Sequence, residues 1–188
     1  MKRRIVTLIG TRYPQKEYQD LMVRIGKAFS EKGYGARSGG AIGSDTLFLQ
    51  EYDPKLTIIY RPDDRPGCVN VKNHENYYEF ELIASRVHCL GSGVGWEFMP
   101  IGHQELHARN VPQVMGLNLK TYSDLVVFCA DENHRGTVSG GTATAVKIAR
   151  SLNIPTINIM NDEQRKKLCQ WLKIEDIPKY EKVDIFNL

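Results

Sequence analysis

Short apolar runs alternate with longer amphipathic stretches along most of the chain. Ile5 to Ile9 (IVTLI) is nearly continuous in hydrophobicity and stops at Gly10, which predicts a strand buried on both faces. Between Gln15 and Lys32 the apolar residues Tyr18, Leu21, Met22, Ile25, Ala28 and Phe29 recur at helical spacing. Gln15, Lys16, Gln19, Arg24 and Lys27 fall on the other faces, and Gly33 ends the helix. Tyr34 to Arg37 reads as a second strand, followed by a helix beginning near Ser44-Asp45 that buries Leu47 and Phe48. Leu56 to Tyr60 (LTIIY) is a third strand, and Arg61 to Val71, with Pro62, Pro66 and Gly67, reads as loop.

The second half repeats the alternation. Helices are expected over Tyr77 to Val87 and Glu105 to Asn110, with Pro112 interrupting the latter. Gly91, Gly93, Gly95 and Gly102 mark an irregular stretch between them. Leu125 to Ala130 (LVVFCA) is the strongest strand signal. A loop follows to Ser139, then a helix over Gly140 to Leu152 with Ala145, Ile148, Ala149 and Leu152 on one face. Ile154 to Met160 is the next strand, Asp162 to Leu172 a helix, and the last residues add an edge strand. This order predicts an α/β fold: a Rossmann-like, doubly wound, mainly parallel sheet with helices on both faces. The 188 residues suit one domain, with its core in 1–160 and a C-terminal helix and edge strand in 161–188.

Composition narrows the function classes. The net charge of +3 accommodates a phosphate ligand or a DNA strand but lacks the imbalance of a dedicated nucleic-acid binder. The four cysteines form no CxxC pair, so a zinc site or disulfide framework is not expected, and Cys129 belongs to an apolar run. His103 and His107 would share a helical face, but no HExxH glutamate lies between them, and no metal or resident cofactor is expected. The apolar part of MKRRIVTLIG is too short for a signal peptide, and no run approaches the ~20 residues of a membrane span. The chain therefore reads as cytoplasmic, with no membrane partner.

Candidate chemistry lies in three glycine turns, each following an expected strand. Gly10-Thr11-Arg12 offers a tight turn, a helix N-terminus and a guanidinium for an anion, or is an ordinary strand-to-helix turn. Ser38-Gly39-Gly40-Ala41-Ile42-Gly43-Ser44-Asp45 can form an anion-binding concavity of successive N–H groups. Asp45 either holds a ribose hydroxyl or caps the next helix. No GKS or GKT follows, so this is not a P-loop. In Ser139-Gly140-Gly141-Thr142-Ala143-Thr144, Thr142 serves as N-cap or meets a ligand phosphate. In a doubly wound sheet such turns open on one edge, where ligands bind. Trp96 and Phe98 either stack on a base or pack beneath their loop, and His134 and Arg135 form either a ligand-facing lid or a solvated loop.

Taken together, IVTLIGTR, SGGAIGSD, HARN (His107 to Asn110) and SGGTATAVKIAR, in that order, resemble the SLOG superfamily. This group unites the Rossmann domain of DNA-processing protein A (DprA) with the LOG-type phosphoribohydrolases, and the DprA-like branch is the nearer. The resemblance implies nucleotide or phosphate binding through Gly10, Thr11, Arg12, Ser38, Gly39, Gly40, Ser44, Asp45, Arg109, Asn110, Gly140, Gly141, Thr142 and Thr144. Arg12 and Arg109 would neutralise phosphate; Asn110 and Asp45 would contact sugar or base. It also implies self-association and, through DprA, single-stranded DNA as an alternative partner. The LOG glutamates are absent: Ala108 and Ala143 to Val146 stand in the matching places. A nucleotide N-glycosidase would therefore need another carboxylate, such as Glu97, Glu105, Asp131 or Glu132, and no catalytic residue is assigned.

Overall fold

The computed structural model describes residues 3–89 and 95–177. Six strands form one sheet in which every pairing is parallel: β1 Ile5–Gly10, β2 Gly35–Ser38, β3 Thr57–Arg61, β4 Cys68–Asn70, β5 Leu125–Cys129 and β6 Thr156–Asn158. The spatial order is β4-β3-β2-β1-β5-β6. The first four strands build outward from β1, and the chain then returns to β1's other side. Strand order thus reverses between β1 and β5, whose registers bring Gly10 beside Cys129.

Strand alternation divides the core in two. Val6, Leu8, Val127 and Cys129 face a cluster closed by α1 (Lys16–Glu31), α2 (Ser44–Leu49) and α7 (Asp162–Leu172). Ile9, Val126 and Phe128 face the opposite cluster, closed by α3 (Tyr77–Cys89), α4 (Ile101–Ala108), α5 (Asn110–Met115) and α6 (Thr142–Ser151). Burial on both faces explains why these strands are near-continuous apolar runs. The Rossmann-like α/β class is as expected from the alternation. Among the described residues no helix is long and apolar enough to cross a membrane.

Several local expectations change. The stretch read as loop after Arg61 contains β4, a three-residue, half-buried edge strand. Glu105 to Asn110 is not one helix: α4 begins at Ile101 and ends at Ala108, and α5 begins at Asn110. Pro112 is the third residue of α5, where its missing N–H has no acceptor within the helix to lose. Helix α6 starts at Thr142, so Gly140 and Gly141 precede it, and the N-cap position belongs to Gly141 rather than Thr142. Residues 173–177 carry no strand; Gly91, Gly93 and the rest of the expected C-terminal edge strand lie outside the described residues.

Candidate functional site

The carboxyl ends of β1 and β5 open into a cavity of about 980 Å³, bounded by the β1–α1 turn, the β5–α6 loop, and residues of α3, α4, α5 and α6. This is the crevice that strand reversal creates in an open parallel sheet. Of the residues singled out in sequence, Gly10, Thr11, Arg12, Asp45, Arg109, Asn110, Gly140, Gly141, Thr142 and Thr144 line it.

The β1 side is held rigid by its own backbone. The Thr11 N–H donates to Cys129 (2.7 Å), while the Ser44 N–H and hydroxyl both donate to the Thr11 carbonyl (3.0 and 2.9 Å). Gly10 is obligatory there, since a Cβ would sit 2.5 Å from the Cys129 carbonyl oxygen. Asp45 neither caps α2 nor holds its carboxylate out to a sugar. It is buried, and it accepts the Gly10 N–H (3.1 Å), the Gly39 N–H (3.1 Å) and the Ala41 N–H (3.3 Å). Burial pushes its carboxyl above the ordinary value, opposed by the Arg109 charge and these three amides.

Ser38, Gly39, Gly40 and Ser44 are not in the cavity wall. Ser38 is fully buried and donates its hydroxyl to the Leu8 carbonyl (2.7 Å). Gly39 packs against the Arg109 guanidinium and accepts a hydrogen bond from it. Gly40, at φ +58°, leaves a gap that Ile59 fills. The second glycine turn is thus an internal joint between β2 and α2.

Arg109 and Asn110 sit at the α4–α5 junction. Arg109 is only 9% exposed, and its Nε has no hydrogen-bond partner. Burial draws its guanidinium below the ordinary value, opposed first by Asp45. Asn110 donates from Nδ2 to the Gly141 carbonyl (2.8 Å) and accepts from Gln113 Nε2 (3.1 Å), so it fixes the third glycine turn against α5. That turn is open. Gly140 (φ +71°) and Gly141 are exposed, α6 begins without a side-chain cap, and a Cβ at either glycine would meet nothing within 4 Å. The N-terminus of α6 and its dipole thus border the cavity, with the Ala143 N–H donating to the Gly140 carbonyl (3.1 Å).

Residues not singled out as ligand contacts complete the walls. Gln113 is fully buried in α5, and its Oε1 has no partner. Its position within the apolar run VPQVM was the available signal, since a polar residue amid such a run has a specific reason to be buried. His88, His103, His107 and Lys147 line the α3–α4–α6 side. His107 Nδ1 shares a 2.6 Å hydrogen bond with Thr144 Oγ1. Burial, then the neighbouring His88, His103, Lys147 and Arg109, lower His107 to about 4. Trp96 is half-buried with its ring against His88 and His107, while Phe98 is exposed.

Asp131 and Glu132 also line the cavity, but Glu132 is engaged by Arg150 (2.7 Å) and Asn158 (3.2 Å). Glu105 is paired with Lys72 (2.5 Å), and it lies outside the cavity wall, as does Glu97. His134 and Arg135 are exposed and also outside it. Among the described residues no group of three or more His, Cys, Asp or Glu side chains could hold a metal ion.

No protein-family model and no curated protein matches the chain. Solved structures do. DNA processing protein A from Helicobacter pylori, studied for its single-stranded DNA binding mode, aligns over 93% of this chain and 75% of its own at 21% identity, with a TM-score of 0.52. The molybdenum cofactor binding protein from Rippkaea orientalis aligns over 94% and 88% at 15% identity and a TM-score of 0.49. The molybdenum cofactor carrier protein from Chlamydomonas reinhardtii aligns over 90% and 85% at 15% identity and a TM-score of 0.42. The first of these likenesses supports the fold.

Proposed function

We propose that this chain is a nucleotide- or phosphate-ligand-binding protein of the SLOG type. One observation carries the reading. The β1 turn, the Arg109-Asn110 junction and the Gly140-Gly141 turn are distant in sequence, yet they line a single cavity at the strand-reversal point. The N-terminus of α6 supplies amides for a phosphate, and Arg12, exposed at the cavity, supplies a guanidinium. Arg109 adds buried positive charge that Asp45 balances.

The test is to follow melting temperature and base release together, for a panel of nucleotides and a single-stranded oligonucleotide. A nucleotide-induced rise without base release is the expected result. Release of free base would instead make the protein a nucleotide N-glycosidase, with Asp131 the first carboxylate to substitute. Arg12→Ala should weaken nucleotide binding roughly tenfold while leaving the unliganded melting temperature unchanged, as expected for an exposed side chain. The absence of a shift with every nucleotide would sink the reading.

Single-stranded DNA is a second reading, favoured by Tyr13, which lines the cavity beside Arg12 and is 88% exposed. An exposed ring next to a guanidinium suits a stacked base on a phosphodiester strand. It requires an oligonucleotide affinity that falls steeply with salt.

A further inference from the structure

The cavity has a chemically distinct side, away from the glycine turns. His88 at the end of α3 and His107 on α4 meet edge to face, with ring centroids 5.4 Å apart and planes at 63°. Trp96 closes the group from behind, 5.9 Å from His88 and 6.2 Å from His107. His103 and Leu106 continue the same wall. His107 is fixed in orientation by Thr144, whose own position is set by the first turn of α6. Trp96 lies outside the motifs that resemble SLOG proteins, whereas His107 opens the HARN motif.

Resting on the nucleotide reading, we propose that the wall of His88, His103 and His107, backed by Trp96, is the seat of the ligand's flat heteroaromatic ring. The phosphate is then left to the α6 N-terminus and the arginines. A half-buried His107 held near 4 is uncharged at neutral pH, so it presents a ring face and a neutral edge rather than a cation. That suits a planar, polarisable group. A metal ion fits poorly, because among the described residues no group of three or more His, Cys, Asp or Glu side chains is placed to hold one. Thr144, which holds His107, lies in the first turn of α6, so the ring seat on α3 and α4 is tied to the helix whose N-terminus would receive the phosphate, and both line one cavity.

Calorimetric titration of the full chain with adenosine 5′-monophosphate and with ribose 5-phosphate separates the two seats. The nucleotide should bind on the order of tenfold to a hundredfold more tightly, the usual worth of one stacked base. His107→Asn keeps an amide where Nδ1 lies, and so keeps a partner for Thr144, but removes the ring. It should bring the nucleotide down to the affinity of ribose 5-phosphate and leave the latter unchanged. In a Trp171→Phe background Trp96 is the sole tryptophan. Its emission should change on saturation with the nucleotide but not with ribose 5-phosphate, and this readout needs no change in the wall itself. Equal affinities, an unmoved Trp96 emission, or a preference that survives His107→Asn overturns the ring seat while phosphate binding stands. If neither probe binds, the ring seat and the nucleotide reading fall together.

Discussion

Ser38-Gly39-Gly40 and Ser139-Gly140-Gly141 share the same three letters, each between a strand and a helix, yet they do opposite work. In the first turn the Ser38 hydroxyl goes to Leu8, and the Gly39 amide to Asp45. Its glycines exist because Arg109 and Ile59 occupy the space of a side chain. In the second turn both glycines face open space, and the helix behind them is uncapped. The difference lies in the helix that each turn leads into. Asp45 of α2 collects the amides of the first turn together with that of Gly10, while the corresponding stretch of α6 carries only Ala and Thr. A glycine-rich turn therefore keeps amides for a ligand only where no nearby carboxylate has already taken them.

The largest expected effect tests the inward turn. Asp45→Ala strips the buried Gly39 amide and the partly buried Gly10 and Ala41 amides of their acceptor and removes the main negative charge acting on Arg109, which is 9% exposed. Removing one partner of such a buried arrangement costs about 3–5 kcal/mol. That is a large share of the ~5–15 kcal/mol that holds a typical domain together. Urea unfolding measures it; a loss below about 1 kcal/mol would mean that Asp45 is not the joint's keystone. Next comes Gly39→Ala. The new methyl would overlap the Arg109 guanidinium, which is buried and bonded to the Gly39 carbonyl and so has nowhere to swing. Overpacking of this kind costs about 1–3 kcal/mol.

The wall beside the open turn should respond to pH instead. His107 binds its proton near 4 in the folded chain, against 6.5 for an unperturbed histidine. Between those values the unfolded chain binds a proton that the folded chain does not. Stability should therefore fall as pH drops from about 6.5 towards 4, and the penalty is absent above that window. Urea unfolding at several pH values, for wild type and His107→Asn, isolates this part of the acid loss. Parallel profiles would show that His107 takes up its proton at the same pH folded and unfolded.

Much of the fold could be read from hydrophobic periodicity, because β1 and β5 are continuous apolar runs and α1 keeps helical spacing over its length. Strand β4 could not, since Cys68-Val69-Asn70 offers one apolar residue and gains its order from pairing with β3. The α4–α5 break was obscured by Pro112, which terminates a helix in its interior but is tolerated in a first turn. At the site, residue types identified the Gly10, Arg109 and Gly140 segments, but their meeting in one cavity depends on strand order. The burial of Ser38 and the capture of amides by Asp45 are tertiary facts with no local signature. Gln113 and His88 carry no motif and join the cavity only through the packing of α5 and α3.

The smallest stability effects carry the sharpest functional contrast. Gly140→Ala forces a non-glycine residue to φ +71° and should cost about 1 kcal/mol without any clash. Gly141 already has helix-compatible angles, φ −61° and ψ −30°, with open space around it. Gly141→Ala should thus leave stability within about 0.5 kcal/mol of wild type. Its methyl nevertheless projects beside the amides that open α6, where a phosphate must approach the backbone closely. Nucleotide affinity should fall at least roughly tenfold in calorimetric titration, for a protein that melts as before. Gly39→Ala is its mirror image, costly to the fold at a position outside the cavity wall. If Gly141→Ala binds nucleotide as well as wild type does, the outward turn is not the phosphate seat, and the contrast between the two turns is one of packing alone.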